Sequence, residues 1–361
     1  MVVTAACETG HRSRRSPCWR VLAALALLSG VIGACTAMPT GSAPPAGRPA
    51  DTAAAPAPSA PATAPLRVVR ISVPGASLSY LPAKVAAELG FYRDEGLEVE
   101  FVQLGGELAV AAVLSGQADF TTITSAAMAA IAKGAPLKTV HYQSVRLVHA
   151  LLGRPEVATV AELSGKRIGV QRLGDLTAFQ ANWVIERYGL RDVAVLQVGP
   201  ERERLAALAN GNVDATFVAR PWDLVAEREG MRRLLNMWEA LEMAQVGLVC
   251  TTATLVEQEA MVRGLMRANN RAAAAVRDPA RRDEVAQVVA NWMEIPLADA
   301  QRIVAELRDT YTPTGLASEA AINAFLEVLK QSDAVPPTAT VAEMVDFTLA
   351  RQVAREMGLL P

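Results

Sequence analysis

The 361-residue chain has few aromatic residues, few cysteines and no excess of one charge. Aromatic residues make up only 5 % of the chain, and its four cysteines stand at positions 7, 18, 35 and 250. With 35 basic and 37 acidic residues, the chain lacks the positive excess with which nucleic-acid-binding proteins neutralise phosphates. The composition therefore argues against a nucleic-acid partner and against a scaffold held together by disulfides.

The chain also lacks an apolar run long enough to span a membrane. A basic start, with four arginines in the first 20 residues, precedes an apolar stretch of 14 residues at 21–34, whereas a spanning helix needs about 20. This pattern predicts a signal peptide over residues 1–34. Its end, Ile32-Gly33-Ala34-Cys35, resembles the lipobox of bacterial lipoproteins and predicts that Cys35 is acylated. An ordinary signal peptide with an incidental Cys35 is the alternative, and Arg14-Arg15 is a weak indication of twin-arginine export.

Residues 35–66 have the composition of a tether. Between Thr36 and Pro65 the chain holds eight prolines among Ala, Thr, Ser and Gly residues. Such a segment cannot bury a core and adopts extended, solvated conformations. We therefore expect the folded part of the protein to begin near residue 67.

The folded part contains an internal repeat at a nearly constant offset. Arg70-Ile71-Ser72-Val73 recurs as Arg167-Ile168-Gly169-Val170, and Gly116-Gln117-Ala118-Asp119 recurs as Gly211-Asn212-Val213-Asp214. Each copy has the order strand, helix, strand, helix and short strand, with glycines ending the helices. The repeat predicts two βαβαβ units, which favour parallel sheets flanked by helices.

These patterns predict an α/β fold of two lobes with a cleft between them. Each lobe is expected to be a mostly parallel sheet flanked by helices. We assign residues 67–150 and 251–361 to the first lobe and residues 151–250 to the second, with the helical C-terminal third packed on the first lobe. The tetrapeptide Thr-Val-Ala-Glu, at 159–162 and again at 340–343, has the spacing of a capping box. Cys250 lies in an apolar run, where we expect a small buried side chain.

Several motifs resemble, in order and spacing, those of the periplasmic substrate-binding proteins of nitrate/sulfonate/taurine ABC transporters (NitT/TauT, SsuA-like). The motifs are LPAKVA at 81–86, GFYRDEGLEV at 90–99, GQAD at 116–119, AKGAP at 132–136, LSGKRIGV at 163–170 and GNVDA at 211–215, followed by Pro221. The resemblance covers roughly residues 67–290.

This resemblance implies a type II-like periplasmic-binding-protein fold whose lobes close on a small solute. It implies delivery of that solute to an ABC permease in the inner membrane by an extracytoplasmic protein, which Cys35 would anchor through lipid. A cleft that must open and close suits a monomer. The resemblance leaves the identity and the affinity of the solute open, because similar scaffolds bind many small molecules.

The candidate binding residues follow from where parallel sheets bind ligands. Ligands lie beyond the carboxyl ends of strands, at loops and helix starts. This rule selects a set of hydroxyl-bearing residues, namely Ser77, Ser79, Tyr80, Thr124, Ser125 and Thr177. The serines and Thr124 are equally suited to cap helices, and Tyr80 is equally suited to pack in the core.

Charged residues at the same strand ends bear on the charge of the ligand. Arg172 and Arg220 each follow a predicted strand, and guanidinium groups bind carboxylate, sulfonate or phosphate through paired hydrogen bonds. They predict an acidic small molecule, although each arginine is also suited to a structural ion pair. Asp175 at a helix start would repel an anion or attract an amine. Trp222 is a candidate wall of the cleft.

Two other classes of protein remain as alternatives. A distant branch of the resembled family makes a thiamine pyrimidine precursor, so binding or synthesis of such a precursor is one alternative. That chemistry needs a cofactor-bearing side chain or a cysteine cluster. We find no obvious set of that kind and expect a non-enzyme without cofactor or metal, with His141 and His149 as packed or hinge residues. The second alternative is a ligand-sensing module of a signalling system.

Overall fold

A computed structural model describes residues 65–361 of the chain. This part contains ten strands, which begin and end as follows: β1 (Arg67–Val73), β2 (Leu97–Gln103), β3 (Phe120–Thr121), β4 (Leu137–Arg146), β5 (His149–Gly153), β6 (Arg167–Val170), β7 (Ala194–Gln197), β8 (Ala215–Ala219), β9 (Arg232–Asn236) and β10 (Glu242–Thr251). The predicted signal peptide, tether and Cys35 lie outside the described residues.

Helices connect the strands and make up the C-terminal third. They are α1 (Leu81–Glu88), α2 (Phe91–Asp94), α3 (Gly106–Leu114), α4 (Thr124–Ile131), α5 (Leu176–Tyr188), α6 (Glu201–Ala209), α7 (Trp222–Arg228), α8 (Met237–Ala240), α9 (Thr252–Glu257), α10 (Glu259–Arg277), α11 (Arg282–Met293), α12 (Leu297–Leu307), α13 (Glu319–Gln331), α14 (Val341–Met344) and α15 (Thr348–Glu356). Within residues 65–361, no helix is both long and apolar enough to span a bilayer.

The strands form two five-stranded mixed sheets, as the predicted α/β class requires. The first has the order β2-β1-β3-β10-β4 and the second has the order β7-β6-β8-β5-β9. In the first sheet β10 runs antiparallel to its neighbours, and in the second sheet β5 does so. The remaining strands of each sheet share one direction, which confirms the prediction of mostly parallel sheets flanked by helices.

The internal repeat of the sequence occupies equivalent places in the two sheets. The backbone N–H of Arg70 donates to the Asp119 carboxylate at 2.7 Å, and the N–H of Arg167 donates to the Asp214 carboxylate at 2.9 Å. These are the arginines and aspartates of the repeated motifs. In each copy the aspartate ties the start of the third strand to the first strand, so the repeated residues have one structural role.

The chain crosses between the sheets at two points. The first crossing is at residues 147–148, and the second runs through α8 to residue 241. The predicted border near residue 250 differs from this second crossing, because β10 continues the hydrogen-bonded ladder of β4 from Glu242 opposite Arg146 to Thr251 opposite Leu137. The apolar run around Cys250 is therefore a strand of the first sheet. Below, the first lobe means the first sheet with α1–α4 and α9–α15, and the second lobe means the second sheet with α5–α7.

The C-terminal helices pack on the first sheet through buried polar and apolar contacts. The Tyr92 hydroxyl donates to the Asn269 amide oxygen at 3.1 Å, which joins α2 to α10. The Tyr311 hydroxyl donates to the Leu78 carbonyl at 2.8 Å, and Val345 forms a bridge with Thr139 in β4. The apolar stripes of α10, α13 and α15 are buried in the same core.

Candidate functional site

A cleft of about 860 Å³ lies between the two lobes. The first lobe contributes one face of α3 and of α4 along their lengths, one residue of β10, and the second half of α13 with the turn after it. The second lobe contributes the first residue of β5, the turn after β6, the start of α5 and the first turn of α6. The carboxyl ends of β2, β3 and β6 therefore point at one cavity, as the rule for parallel sheets requires.

Four of the predicted binding residues line this cleft: Ser125, Arg172, Asp175 and Thr177. The side chains of Ser125 and Arg172 make no hydrogen bond or ion pair with any other residue in 65–361, and Arg172 is exposed. Asp175 caps α5, because its Oδ1 accepts hydrogen bonds from the N–H groups of Thr177 at 2.9 Å and Ala178 at 3.1 Å. The structure thus brings these four residues together, two with free polar groups and two within a helix cap.

Four other predicted residues lie in the first lobe away from the cleft. The Ser77 hydroxyl accepts from the Ser79 N–H at 3.3 Å and caps a 3-10 turn at Leu78–Tyr80. The Tyr80 hydroxyl donates to the Gly75 carbonyl, and its ring packs on Trp292 with centroids 5.3 Å apart. Burial raises the pKa of Tyr80 to about 12. Thr124 is buried, and its hydroxyl accepts from the Gly247 N–H at 3.1 Å. These four residues have capping and packing contacts.

Arg220 and Trp222 do not reach the cleft either. The Arg220 side chain is buried, lies 3.4 Å from Asp223, contacts Glu306 and stacks on Trp238 at 4.2 Å. Two carboxylates therefore already neutralise its charge. Trp222 is 54 % exposed at the start of α7. Of the two arginines that predicted an acidic ligand, only Arg172 lines the cleft.

Sequence reasoning did not select His149, which also lines the cleft. The Gln180 amide nitrogen lies 2.8 Å from its Nδ1 and donates to it as the amide is oriented. The other ring nitrogen, Nε2, makes no hydrogen bond within residues 65–361. Burial is the main cause that lowers the pKa of His149 to about 4, so the ring is neutral at pH 7. A useful signal was its position directly after the crossing, where the sequence suggested a packed or hinge histidine.

The sequence also gave no sign of the pair formed by Glu201 and Arg204 on α6. Arg204 is 3 % exposed and donates to the carbonyls of Gly199 at 2.8 Å and Phe217 at 3.2 Å. Glu201 accepts from the Ala219 N–H at 2.7 Å and lies 3.8 Å from the guanidinium. Burial raises the pKa of Glu201. The pair presents a compensated charge to the cleft.

The described residues offer little for metal or thiol chemistry. Among residues 65–361, no group of three or more His, Cys, Asp or Glu side chains is placed to hold a metal ion. Cys250 is buried in β10, and burial raises the pKa of its thiol to about 12. A thiol that stays protonated at neutral pH is a poor nucleophile.

Comparison with known proteins relates this geometry to a family and a fold. Residues 78–281, more than half of the chain, match the family model described as NMT1/THI5 like. No curated protein matches the chain.

Three similar solved structures differ in what their names describe. A periplasmic sulfonate-binding protein SsuA from Methylobacillus flagellatus KT is 17 % identical, with 82 % of this chain and 96 % of that chain covered and a TM-score of 0.65. The periplasmic nitrate-binding protein NrtA from Synechocystis PCC 6803 is 13 % identical, with 82 % and 90 % covered and a TM-score of 0.59. The desulfurization enzyme DszB is 16 % identical, with 81 % and 99 % covered and a TM-score of 0.59. The likeness at these identities concerns the two-lobed fold.

Proposed function

Because the chain belongs to the NMT1/THI5-like family, we propose that it is an extracytoplasmic binding protein that captures a small organic solute by closure of its two lobes. The observation that carries this proposal is the cleft of about 860 Å³, to which both lobes contribute free polar groups. A ligand that contacts both walls stabilises the closed arrangement, since it binds that arrangement more tightly than the open one.

The sulfonate- and nitrate-binding neighbours support a role in transport. We propose that the loaded protein acts as a monomer and delivers its solute to an ABC permease in the inner membrane. An acidic ligand remains a prediction that rests on Arg172, because Arg220 is neutralised in the interior.

The first test combines a ligand screen with a measurement of shape. The purified full-length chain is screened by thermal shift against sulfonates, carboxylates, neutral heterocycles and amines, since a ligand of the folded state raises the apparent melting temperature. Small-angle X-ray scattering then compares the free protein with each stabilised complex. We expect a smaller radius of gyration in the complex, and an unchanged radius with every stabilising compound would contradict capture by closure.

The anchor is proposed from the sequence and is tested separately. We propose that Cys35 carries lipid after the signal peptide is removed, because a lipobox precedes it and a proline-rich tether follows it. In a bacterial host, the wild-type chain should sediment with membranes and Cys35→Ser should move to the soluble fraction. Equal partition of the two chains would leave Cys35 without this role.

We also propose that the protein is not an enzyme, although DszB shares its fold. The buried, high-pKa thiol of Cys250 supports this proposal. Each compound that stabilises the protein is incubated with it and recovered for mass spectrometry. Recovery of the unchanged compound is expected, and a new product that forms in proportion to protein concentration would overturn the proposal.

A further inference from the structure

One wall of the cleft is apolar and belongs to the first lobe. Helices α3, α4 and α13 form it with the side chains of Val110, Leu114, Ala129, Phe325 and Leu329. Leu114 is 45 % exposed although it faces the cleft. A ligand with an apolar body would cover this wall and be stabilised by the removal of both apolar surfaces from water.

The facing wall in the second lobe has a helix start where an anion would bind, but the protein fills that place with its own carboxylate. The N–H groups at the start of a helix attract anions. At α5, Asp175 takes the N–H groups of Thr177 and Ala178 and also accepts from the Thr177 hydroxyl at 2.7 Å. That hydroxyl in turn accepts from the Gln171 N–H at 2.8 Å. A second negative charge would meet repulsion here.

The remaining charges of the cleft balance one another. Arg204 is paired with Glu201 and bonded to two carbonyl oxygens. The side chains of Arg172, Lys133 and Glu107 have no ion-pair partner within residues 65–361, and all three are exposed. With Asp175, the six charged side chains that line the cleft carry three positive and three negative charges. The lining of the cleft therefore carries no net positive charge to draw in an anion.

Uncharged groups provide the hydrogen bonds that are left for a ligand. Nε2 of the neutral His149 carries the ring proton when Gln180 donates to Nδ1, so it is a donor. The Ser125 hydroxyl and the Gln245 amide line the same cavity and have no partner among the described residues. The starts of α3 and α4 have no side-chain cap, so their N–H groups suit an acceptor oxygen. The carboxylate of Glu107 in the first turn of α3 disfavours a full negative charge there.

We infer that the ligand is an uncharged amphiphile, with an apolar body on the wall formed by α3, α4 and α13 and a neutral hydrogen-bonding head group beside His149 and Ser125. This inference rests on the solute capture proposed above and replaces the acidic ligand that Arg172 and Arg220 suggested. It assigns Leu114 and Asp175 to specificity: Leu114 selects the apolar body, and Asp175 excludes anions.

Matched pairs of probes test the inference on the full-length chain by isothermal titration calorimetry. The probes are 4-butylbenzenesulfonamide, which is neutral, 4-butylbenzenesulfonate, which has the same body and a negative charge, and unsubstituted benzenesulfonamide. We expect the butyl sulfonamide to bind at least tenfold more tightly than either of the other two probes. Equal or tighter binding of the sulfonate would overturn the neutral head group, and equal binding of the two sulfonamides would overturn the apolar body.

Two variants tie the result to the residues. Leu114→Asn should weaken the butyl sulfonamide at least fivefold and leave benzenesulfonamide unchanged. Leu108→Asn is the matched control, because Leu108 is 70 % exposed on the same helix and does not line the cleft. Asp175→Asn keeps the cap, since asparagine is an equally good capping residue. It should raise the affinity for the sulfonate at least fivefold relative to the sulfonamide, and an unchanged ratio would remove Asp175 from anion exclusion.

Scattering on the same samples separates this inference from the proposed function. Tighter binding of the sulfonate together with a smaller radius of gyration would overturn the uncharged ligand and leave solute capture standing. Tighter binding of the butyl sulfonamide without a change of radius would support the amphiphile and contradict capture by closure. No heat from the butyl sulfonamide at millimolar concentration would contradict the inference directly.

Discussion

His141 is buried and His149 is half-buried, each next to an amide side chain. His141 Nε2 lies 2.9 Å from the Asn270 amide oxygen, and His149 Nδ1 lies 2.8 Å from the Gln180 amide nitrogen. Burial, which opposes the charged ring, lowers the pKa of each histidine to about 4, whereas an unfolded histidine has a pKa near 6.5. The unfolded chain therefore binds more protons than the folded chain between these pH values.

This difference predicts a loss of stability in mild acid. Since the folded-state pKa values lie below the unfolded value, the free energy of unfolding is highest above pH 6.5 and falls as pH decreases from 6.5 to 4. By pH 5 each histidine should remove about 1 to 2 kcal/mol. Urea denaturation at pH 7 and pH 5 measures the decrease, and His141→Gln and His149→Gln should each reduce it. A decrease that is the same in both variants and the wild type would assign it to other groups.

At the scale of the element, the tetrapeptide Thr-Val-Ala-Glu forms two different structures. At 340–343 it is a capping box, in which Glu343 accepts from the Thr340 N–H at 2.8 Å and the Thr340 side chain binds the backbone of the third helical residue. At 159–162 the Thr159 hydroxyl instead donates to the Glu162 carboxylate at 3.3 Å, and that carboxylate accepts from the Ala158 N–H. The copy at 159–162 begins a 3-10 turn without a side-chain cap.

Because the two Thr-Val-Ala-Glu copies differ in structure, replacing the threonine by alanine should affect stability unequally in the two places. Thr340→Ala should lower the free energy of unfolding by about 1 kcal/mol, because it leaves a helix N–H without its partner. Thr159→Ala should lower it by less than about 0.5 kcal/mol, because it removes an exposed hydroxyl from a carboxylate that keeps its backbone partner. Urea denaturation at pH 7 measures both, and equal losses would show that the capping box contributes nothing specific.

Ion pairs join helix α12 to the second lobe. Glu306 contacts the buried Arg220 and lies 2.8 Å from Arg233. Its replacement leaves Asp223 as the one carboxylate beside Arg220 among the described residues, and Arg233 shares that carboxylate. We expect Glu306→Gln to cost about 2 kcal/mol or more, because it uncovers buried charge. Asp299→Asn is the control, since Asp299 pairs with the largely exposed Arg228 and should cost less than about 1 kcal/mol. Similar costs in urea denaturation would contradict a special role of burial.

At the scale of the whole molecule, helix α12 links the two lobes beside the second crossing. In addition to Glu306, Arg302 of α12 lies 2.9 Å from Glu227 of α7. Trp238, in the crossing helix α8, stacks on Arg220. These contacts hold the two lobes in the relative arrangement seen in the structure.

We therefore expect the double variant Arg302→Gln/Glu306→Gln to change its lobe arrangement without ligand. Small-angle scattering should give it a radius of gyration that differs from that of the wild type. The control Arg263→Gln/Glu356→Gln removes a pair at 2.9 Å within the first lobe and should leave the radius unchanged. If the two variants have the same radius at low temperature, where circular dichroism shows both to be folded, α12 does not set the lobe arrangement.

The sequence determined the local elements and their order. The repeated motifs ending in Asp119 and Asp214 fixed two equivalent units, because residues a few positions apart decide where strands and helices begin and end. The same reasoning placed Ser125, Arg172, Asp175 and Thr177 at strand ends that face the cleft. It did not place the second crossing, because an apolar strand such as β10 can pair with either sheet.

Only the tertiary structure decided which charged and polar groups remain free. Arg172 and Arg220 have the same local context in sequence, yet the partners that neutralise Arg220 include Glu306, which is 86 positions away. Likewise, His149 enters the cleft because β5 joins the second sheet, and Phe325 enters it because α13 packs on the first lobe. A local pattern records what a side chain is able to bind, whereas the distant partners brought to it by folding decide whether that capacity is still available to a ligand.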